Sequence, residues 1–234
     1  MDIHQSVGVK AAVRRSVPGM VEARRLLVVE DEPLMASLLS QALTAAGFDV
    51  AASADVLDAR ASIRAFDPDA VLLDINLGDG PSGLDLAHVL HEQRPDIAII
   101  VLTKYPDPRV AGVESGSLPP NCGFLRKDMV KDTDYLLGAI NAVLTDRPTD
   151  ARHDLEQVKP FAQLSAKQLD VLRLISMGYT NDYIAQIKGA SRSTVERWSV
   201  EIFKALDIDT RGNVNPRVEA ARQFIAAAGV PDRL

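Results

Sequence analysis

Between residues 24 and 126 the chain repeatedly sets a short run of apolar residues ahead of a longer amphipathic stretch. The runs are Leu26-Leu27-Val28-Val29, Val50-Ala51-Ala52, Ala70-Val71-Leu72-Leu73, Ile97-Ala98-Ile99-Ile100-Val101-Leu102 and Gly123-Phe124-Leu125-Arg126. Strands this apolar are buried on both faces, which is the situation of a parallel sheet between two helix layers. The amphipathic stretches predict helices at about 33–46, 55–65, 83–93 and 132–144, with Pro33 in the first turn of one and Gly47 just past its end. Five strands alternating with helices predict an α/β fold, a doubly wound five-stranded parallel sheet.

After residue 145 the strand pattern stops. Residues 146–161 hold Pro148 and Pro160 among many charges, the composition of a linker. Ser165-Ala166-Lys167-Gln168 then has the form of a capping box, with Leu169, Leu172 and Ile175 following at helical spacing up to Gly178. Thr180 and Ser191 are placed to cap two further helices separated by Gly189-Ala190, and a fourth is expected at about 216–228. Residues 162–234 therefore read as a small all-α unit.

Residues 1–23 carry scattered basic residues and a Pro18-Gly19 breaker before Met20, and are expected to be a flexible leader. No long uncharged apolar run suits a membrane span or a secretory signal, so a cytoplasmic protein is expected. Cys122 is the only cysteine, which excludes an intramolecular disulfide framework and fits a buried structural thiol. Net charge is −6, but the halves differ: residues 1–159 hold 16 Lys+Arg against 24 Asp+Glu, and residues 160–234 hold 10 against 8. Only the C-terminal part has the charge balance to approach nucleic-acid phosphates.

In a doubly wound sheet, ligands bind at the carboxyl ends of the strands. There the first strand runs into Glu30-Asp31-Glu32, the third into Asp74, the fourth into Thr103-Lys104, and the fifth into Lys127. Clustered carboxylates repel one another unless a hard cation neutralises them, and a compact oxygen site suits Mg²⁺. Glu30 and Asp31 are expected to hold that ion with Asp74 as a further ligand. A carboxylate beside a metal and an ammonium can also attack a phosphoryl group, with Lys127 and the Thr103 hydroxyl stabilising its oxygens.

These segments, namely Leu27-Val28-Val29-Glu30-Asp31-Glu32-Pro33, Leu72-Leu73-Asp74-Ile75-Asn76-Leu77 with Gly83, Thr103, and Phe124-Leu125-Arg126-Lys127, resemble the receivers of two-component response regulators in order and spacing. The resemblance spans about residues 24–145 and implies a flavodoxin-like fold. It also implies that Asp74 accepts phosphate from a histidine kinase, that the Asn76 backbone carbonyl joins the metal shell, and that Thr103 and Phe124 form a conformational switch. The sequence departs from the family pattern at Lys104, where a small residue is usual, and at Pro106, Pro108 and Leu118-Pro119-Pro120-Asn121, which interrupt the usual helix.

The two short capped helices fit a helix-turn-helix, whose second helix enters the DNA major groove. Leu164 to Gln168, Gly178 to Asn181, Ile184-Ala185, Ser191 to Val195 and Arg217 to Ala220 resemble the LuxR/NarL type of DNA-binding domain. Val195, Trp198, Ile202 and Leu206 are expected inside, leaving Ser193, Glu196, Arg197, Val200 and Lys204 outside. Arg197 can read guanine, Glu196 can accept from cytosine, and Ser193 or Thr194 can reach a phosphate. Asn181, Lys188, Arg192 and Lys204 are candidate backbone contacts. Family members usually carry lysine at the position of Glu196 and often histidine at that of Trp198.

The resemblance implies a transcription regulator and not an enzyme, with double-stranded DNA as a partner and a homodimer as its active form. Two alternatives stay open at this level. One is a helix-turn-helix that binds a protein in place of DNA, and the other is an acidic crevice that hydrolyses external phosphate esters.

Overall fold

The computed structural model describes residues 23–78, 80–111, 118–153 and 161–231. The expected leader, apart from its last residue, and positions 154–160 of the expected linker lie outside the described residues.

Strands β1 (Arg25–Val29), β2 (Asp49–Ser53), β3 (Ala70–Leu73), β4 (Ala98–Thr103) and β5 (Gly123–Arg126) form one parallel sheet in the order β2-β1-β3-β4-β5. Alternate residues of each central strand serve opposite faces. Leu27, Val29, Val71, Leu73, Ile99, Val101 and Phe124 meet helices α2 (Val56–Phe66) and α3 (Gly83–Gln93). Leu26, Val28, Leu72, Ile100, Leu102 and Leu125 meet helices α1 (Pro33–Ala45) and α4 (Thr133–Leu144). That two-sided burial is why these runs carry no polar alternation.

The register positions the site. Val29 pairs with Leu73 and Leu73 with Val101, so Glu30 and Asp74 leave the sheet side by side at the point where the winding reverses. Thr103 pairs with Arg126 one strand further on, which brings Lys127 to the same end. Helix α3 then closes against the β3 exit. Ser82 and Asp85 form a full capping box, and the Gly83 N–H donates to the Ile75 carbonyl at 2.8 Å. A Cβ at Gly83 would lie 1.8 Å from the Asp74 carbonyl oxygen, so only glycine permits this approach.

The C-terminal unit has four helices among the described residues: α5 (Ala166–Ser176), α6 (Asn181–Ile187), α7 (Arg192–Ala205) and α8 (Pro216–Ala228). Three of their four caps are those the residues predict, and Asn215 adds the fourth. Ser165 and Gln168 form a capping box, while Thr180, Ser191 and Asn215 accept N–H bonds at the starts of the other three. Val195, Trp198, Ile202 and Leu206 all lie in the core with Leu169, Leu172 and Phe224.

Two features go beyond the sequence reading. Tyr105 and Val110, from the loop and 3-10 turn (Pro108–Ala111) after β4, are buried in the core of the C-terminal helices, and this turn packs against α5. Asp107 in that loop is 1% exposed, and its charge is met by a two-pronged contact from Arg109, with Nη2–Oδ2 at 2.8 Å. The start of the expected linker is also docked. A 3-10 turn (Pro148–Ala151) packs on α4, and Arg152 forms a parallel bridge to Phe124. Strand β5 is a sheet edge with unmet backbone groups, and this segment covers it.

Cys122 is buried, and desolvation pushes its thiol up to about 12, so it is a neutral packing group. A thiol-alkylating reagent at pH 8 is expected to label Cys122 in denaturant far faster than in the native protein. Gly83→Ala is expected to lower stability by about 3 kcal/mol through overpacking against Asp74, measured by urea denaturation.

Candidate functional site

Four side chains from three strand ends meet in one cluster. Glu30, Asp31 and Asp74 each offer a carboxylate oxygen, and these atoms lie within 4.8 Å of one another. Lys127 joins two of them: its Nζ donates to Glu30 Oε1 at 2.9 Å, Glu30 Oε2 at 2.7 Å and Asp74 Oδ2 at 2.7 Å. An ammonium has three protons, and here each one meets a carboxylate oxygen. Asp74 Oδ1 receives the Asn76 N–H at 3.3 Å.

The electrostatics follow from burial. Glu30 is 3% exposed, and desolvation raises its pKa above the usual carboxylate value, aided by Asp74 and opposed by the Lys127 hydrogen bond. Desolvation alone would lower the pKa of Lys127, but Asp74 and Glu30 outweigh it and the net direction is upward. Lys127 is therefore held as a cation. Asp31 is exposed at the rim, the side from which an ion would enter. Three hard oxygen donors at this spacing fit a hard divalent cation such as Mg²⁺.

The other expected receiver residues lie nearby in the sheet. Thr103 is fully buried at the end of β4, where its Oγ1 accepts the Tyr105 N–H at 3.4 Å. Phe124 is fully buried among the α2–α3 face residues. The Lys104 ammonium sits 5.5 Å from the Tyr105 ring centre, on the loop that leads to the C-terminal helices.

On the second unit, Ser193, Glu196, Arg197, Val200 and Lys204 are exposed along one face of α7, and Thr194 is half-buried. Other candidates are tied into the scaffold. Asn181 Oδ1 accepts from Arg217 at 2.7 Å, and the same guanidinium donates to the Tyr179 carbonyl. Lys188 pairs with Asp170 of α5. Arg192 bonds Glu196 at 2.9 Å and Asp182 at 3.3 Å, so Glu196 neutralises a neighbouring arginine. Lys167 lies 4.0 Å over the Trp198 ring, which covers the core side of α7.

Residues 26–118 match the response regulator receiver domain. The nitrate/nitrite response regulator protein NarP of Escherichia coli is 30% identical over 219 residues, covering 88% of this chain and 96% of NarP.

The chain belongs to the two-component response regulators.

Its combination of a receiver with a C-terminal helical unit is the LuxR/NarL arrangement. The probable transcriptional regulatory protein TcrX of Mycobacterium tuberculosis is 38% identical over 93 residues, and that match spans 39% of each protein. Among solved structures, the response regulator RcsB of Salmonella typhimurium superposes with a TM-score of 0.58 at 17% identity, covering 88% of this chain and 98% of RcsB. At that identity the likeness concerns fold. No helix among the described residues is long and apolar enough to cross a membrane.

Tyr105 and Val110 had no signal in the sequence beyond their hydrophobicity, because nothing local says which core an apolar loop residue will join. His153 and Tyr135, which meet beside β5, were equally silent.

Lys127→Met is expected to destabilise the protein by roughly 3 kcal/mol, because it leaves buried Glu30 without its counter-charge. Urea denaturation at pH 7 measures this, and the double variant Glu30→Gln/Lys127→Met should recover part of the loss.

Proposed function

We propose that this response regulator receives a phosphoryl group on Asp74 from a histidine kinase and thereby controls a DNA-binding dimer that regulates transcription. The observation that carries the reading is the Lys127 ammonium bonded to Asp74 and Glu30 together, which assembles a nucleophile and a phosphate-binding cation at one strand end.

An Asp74 carboxylate oxygen attacks phosphorus, the bond to the kinase imidazole nitrogen breaks, and the electron pair leaves with that nitrogen. Glu30, Asp31, Asp74 and the Asn76 carbonyl would hold Mg²⁺, which supplies positive charge against the transferring group. Lys127 offers its ammonium to a phosphoryl oxygen. Thr103 accepts the Tyr105 N–H, so its own hydroxyl proton serves as a donor to the incoming phosphoryl group. Movement of Thr103 then reaches Tyr105 two residues later, and Tyr105 belongs to the core that contains α5. Phe124 provides the second switch position on β5.

In this reading residues 24–145 form the receiver, 146–161 the connection and 162–234 the DNA-binding unit of a cytoplasmic protein. Helix α7 is the recognition helix. Arg197 reads guanine, Val200 contacts a base and Ser193, Thr194 and Lys204 serve the backbone, while Glu196, Arg192, Lys188 and Asn181 contact DNA by exchanging their present protein partners for it. The α7 face lies open to solvent in the structure, so DNA can approach it without first expelling the receiver.

Treatment with acetyl phosphate and Mg²⁺ is expected to add one phosphoryl group to the wild type and none to Asp74→Asn, read by intact mass. Failure of the wild type to form any adduct would sink the reading. On DNA fragments, Arg197→Ala should weaken specific binding by about 1–3 kcal/mol in gel shifts, while Lys204→Ala should reduce the salt dependence of binding.

A further inference from the structure

The segment that follows α4 does more than pass from one unit to the next. The His153 main-chain N–H donates to the Phe124 carbonyl at 2.9 Å, and its ring Nδ1 accepts the Arg126 N–H at 2.9 Å. In a parallel ladder, a carbonyl of the neighbouring strand would receive that second N–H. Here an imidazole nitrogen stands in for it. His153 is 2% exposed, and its ring stacks on Tyr135 with centroids 5.6 Å apart and places Nε2 2.5 Å from the Tyr135 hydroxyl oxygen. Because Nδ1 accepts from a backbone amide, the neutral ring carries its proton on Nε2 and donates it to Tyr135 Oη.

Arg126 directly precedes Lys127, the residue whose ammonium bonds Glu30 and Asp74. Resting on the phosphoacceptor reading above, we infer that His153 is a positioning residue for Lys127: its Nδ1 fixes the end of β5 and so sets where the ammonium meets the phosphoryl group. β4 pairs this edge strand on one side, and on its outer side the two bonds to His153 engage the Phe124 carbonyl and the Arg126 N–H. Reach is the second reason. A lysine Nζ is several bonds from its Cα, so a small swing of the backbone at Arg126 moves the ammonium by a comparable or larger distance. Misplacement of a reacting partner by about 1 Å can cost on the order of a hundredfold in rate. His153 also lies ahead of the segment that leads to α5, so the same bond links Lys127 to the connection between the units.

The test is a substitution series in the full-length protein, with acetyl phosphate and Mg²⁺ as the probe. An asparagine side chain puts its Oδ1 where the histidine has Nδ1, whereas glutamine reproduces only the Nε2 position. His153→Asn is expected to form the adduct within about threefold of the wild-type rate, and His153→Gln and His153→Ala to be slower by on the order of tenfold. Hydrogen exchange should agree, with the Arg126 amide protected in wild type and His153→Asn and faster in the other two. Should His153→Ala fail to fold, the Asn–Gln pair at the same position still decides the matter. Equal adduct rates in Asn and Gln variants, or a His153→Asn protein as slow as Gln, would overturn the inference while leaving the phosphoacceptor reading in place. A wild type that takes up no phosphoryl group removes both.

Discussion

The arrangement depends on one ion cluster, in which the Lys127 ammonium is shared between Glu30 and Asp74. Three carboxylates at adjoining strand ends would repel one another, and Glu30 lies in a desolvated position that penalises its charge. A single lysine, contributed by a strand at the far edge of the sheet, offsets that cost. Any event that adds a divalent cation or a phosphoryl group changes the number of charges Lys127 must balance. The cluster is therefore a place where chemistry converts directly into a demand for rearrangement, which is the condition a ligand must meet to shift a conformational equilibrium.

What makes that demand consequential is how little separates the cluster from the second unit. Thr103 ends β4 at the same end of the sheet, and Tyr105 and Val110 are buried among the C-terminal helices. Lys127 begins just past β5, and β5 is edged by the segment that runs toward α5. One short covalent route runs through the β4 loop, and a non-covalent one crosses from the end of β5 to the connection through the bonds to His153. The sequence between β4 and β5 carries Pro106, Pro108, Pro119 and Pro120, and the turn at Pro108–Ala111 packs against α5.

The C-terminal unit is held by the same economy of local signals. Each of its four helices begins at a side-chain cap, and α5 carries a full capping box. Its charged residues are largely committed to one another. Lys188 joins α6 to α5, Arg217 joins α8 to the turn before α6, and Glu196 holds Arg192 along α7. The side chains left projecting from α7 are a smaller set than the residue types alone suggest, with Arg197 paired only at 4.0 Å to Glu201.

Much of the fold was legible from residues alone, because hydrophobic period and capping are local properties. All five strands fall where the apolar runs lie, and the α3 and α8 spans agree with their expected limits of 83–93 and 216–228. The meeting of Glu30, Asp31, Asp74 and Lys127 was legible for a related reason: in a doubly wound sheet, chain order determines which strand ends are neighbours. Tertiary structure alone decided the partners. Nothing in the sequence near His153 says that its ring will replace a strand carbonyl, or that Tyr105 will leave the receiver core for another. Nor does an acidic residue on a helix announce that it will neutralise Arg192. Such pairings depend on distances between segments far apart in the chain, set only once the sheet has twisted and the helices have packed, whereas a strand or a cap depends on residues a few positions away.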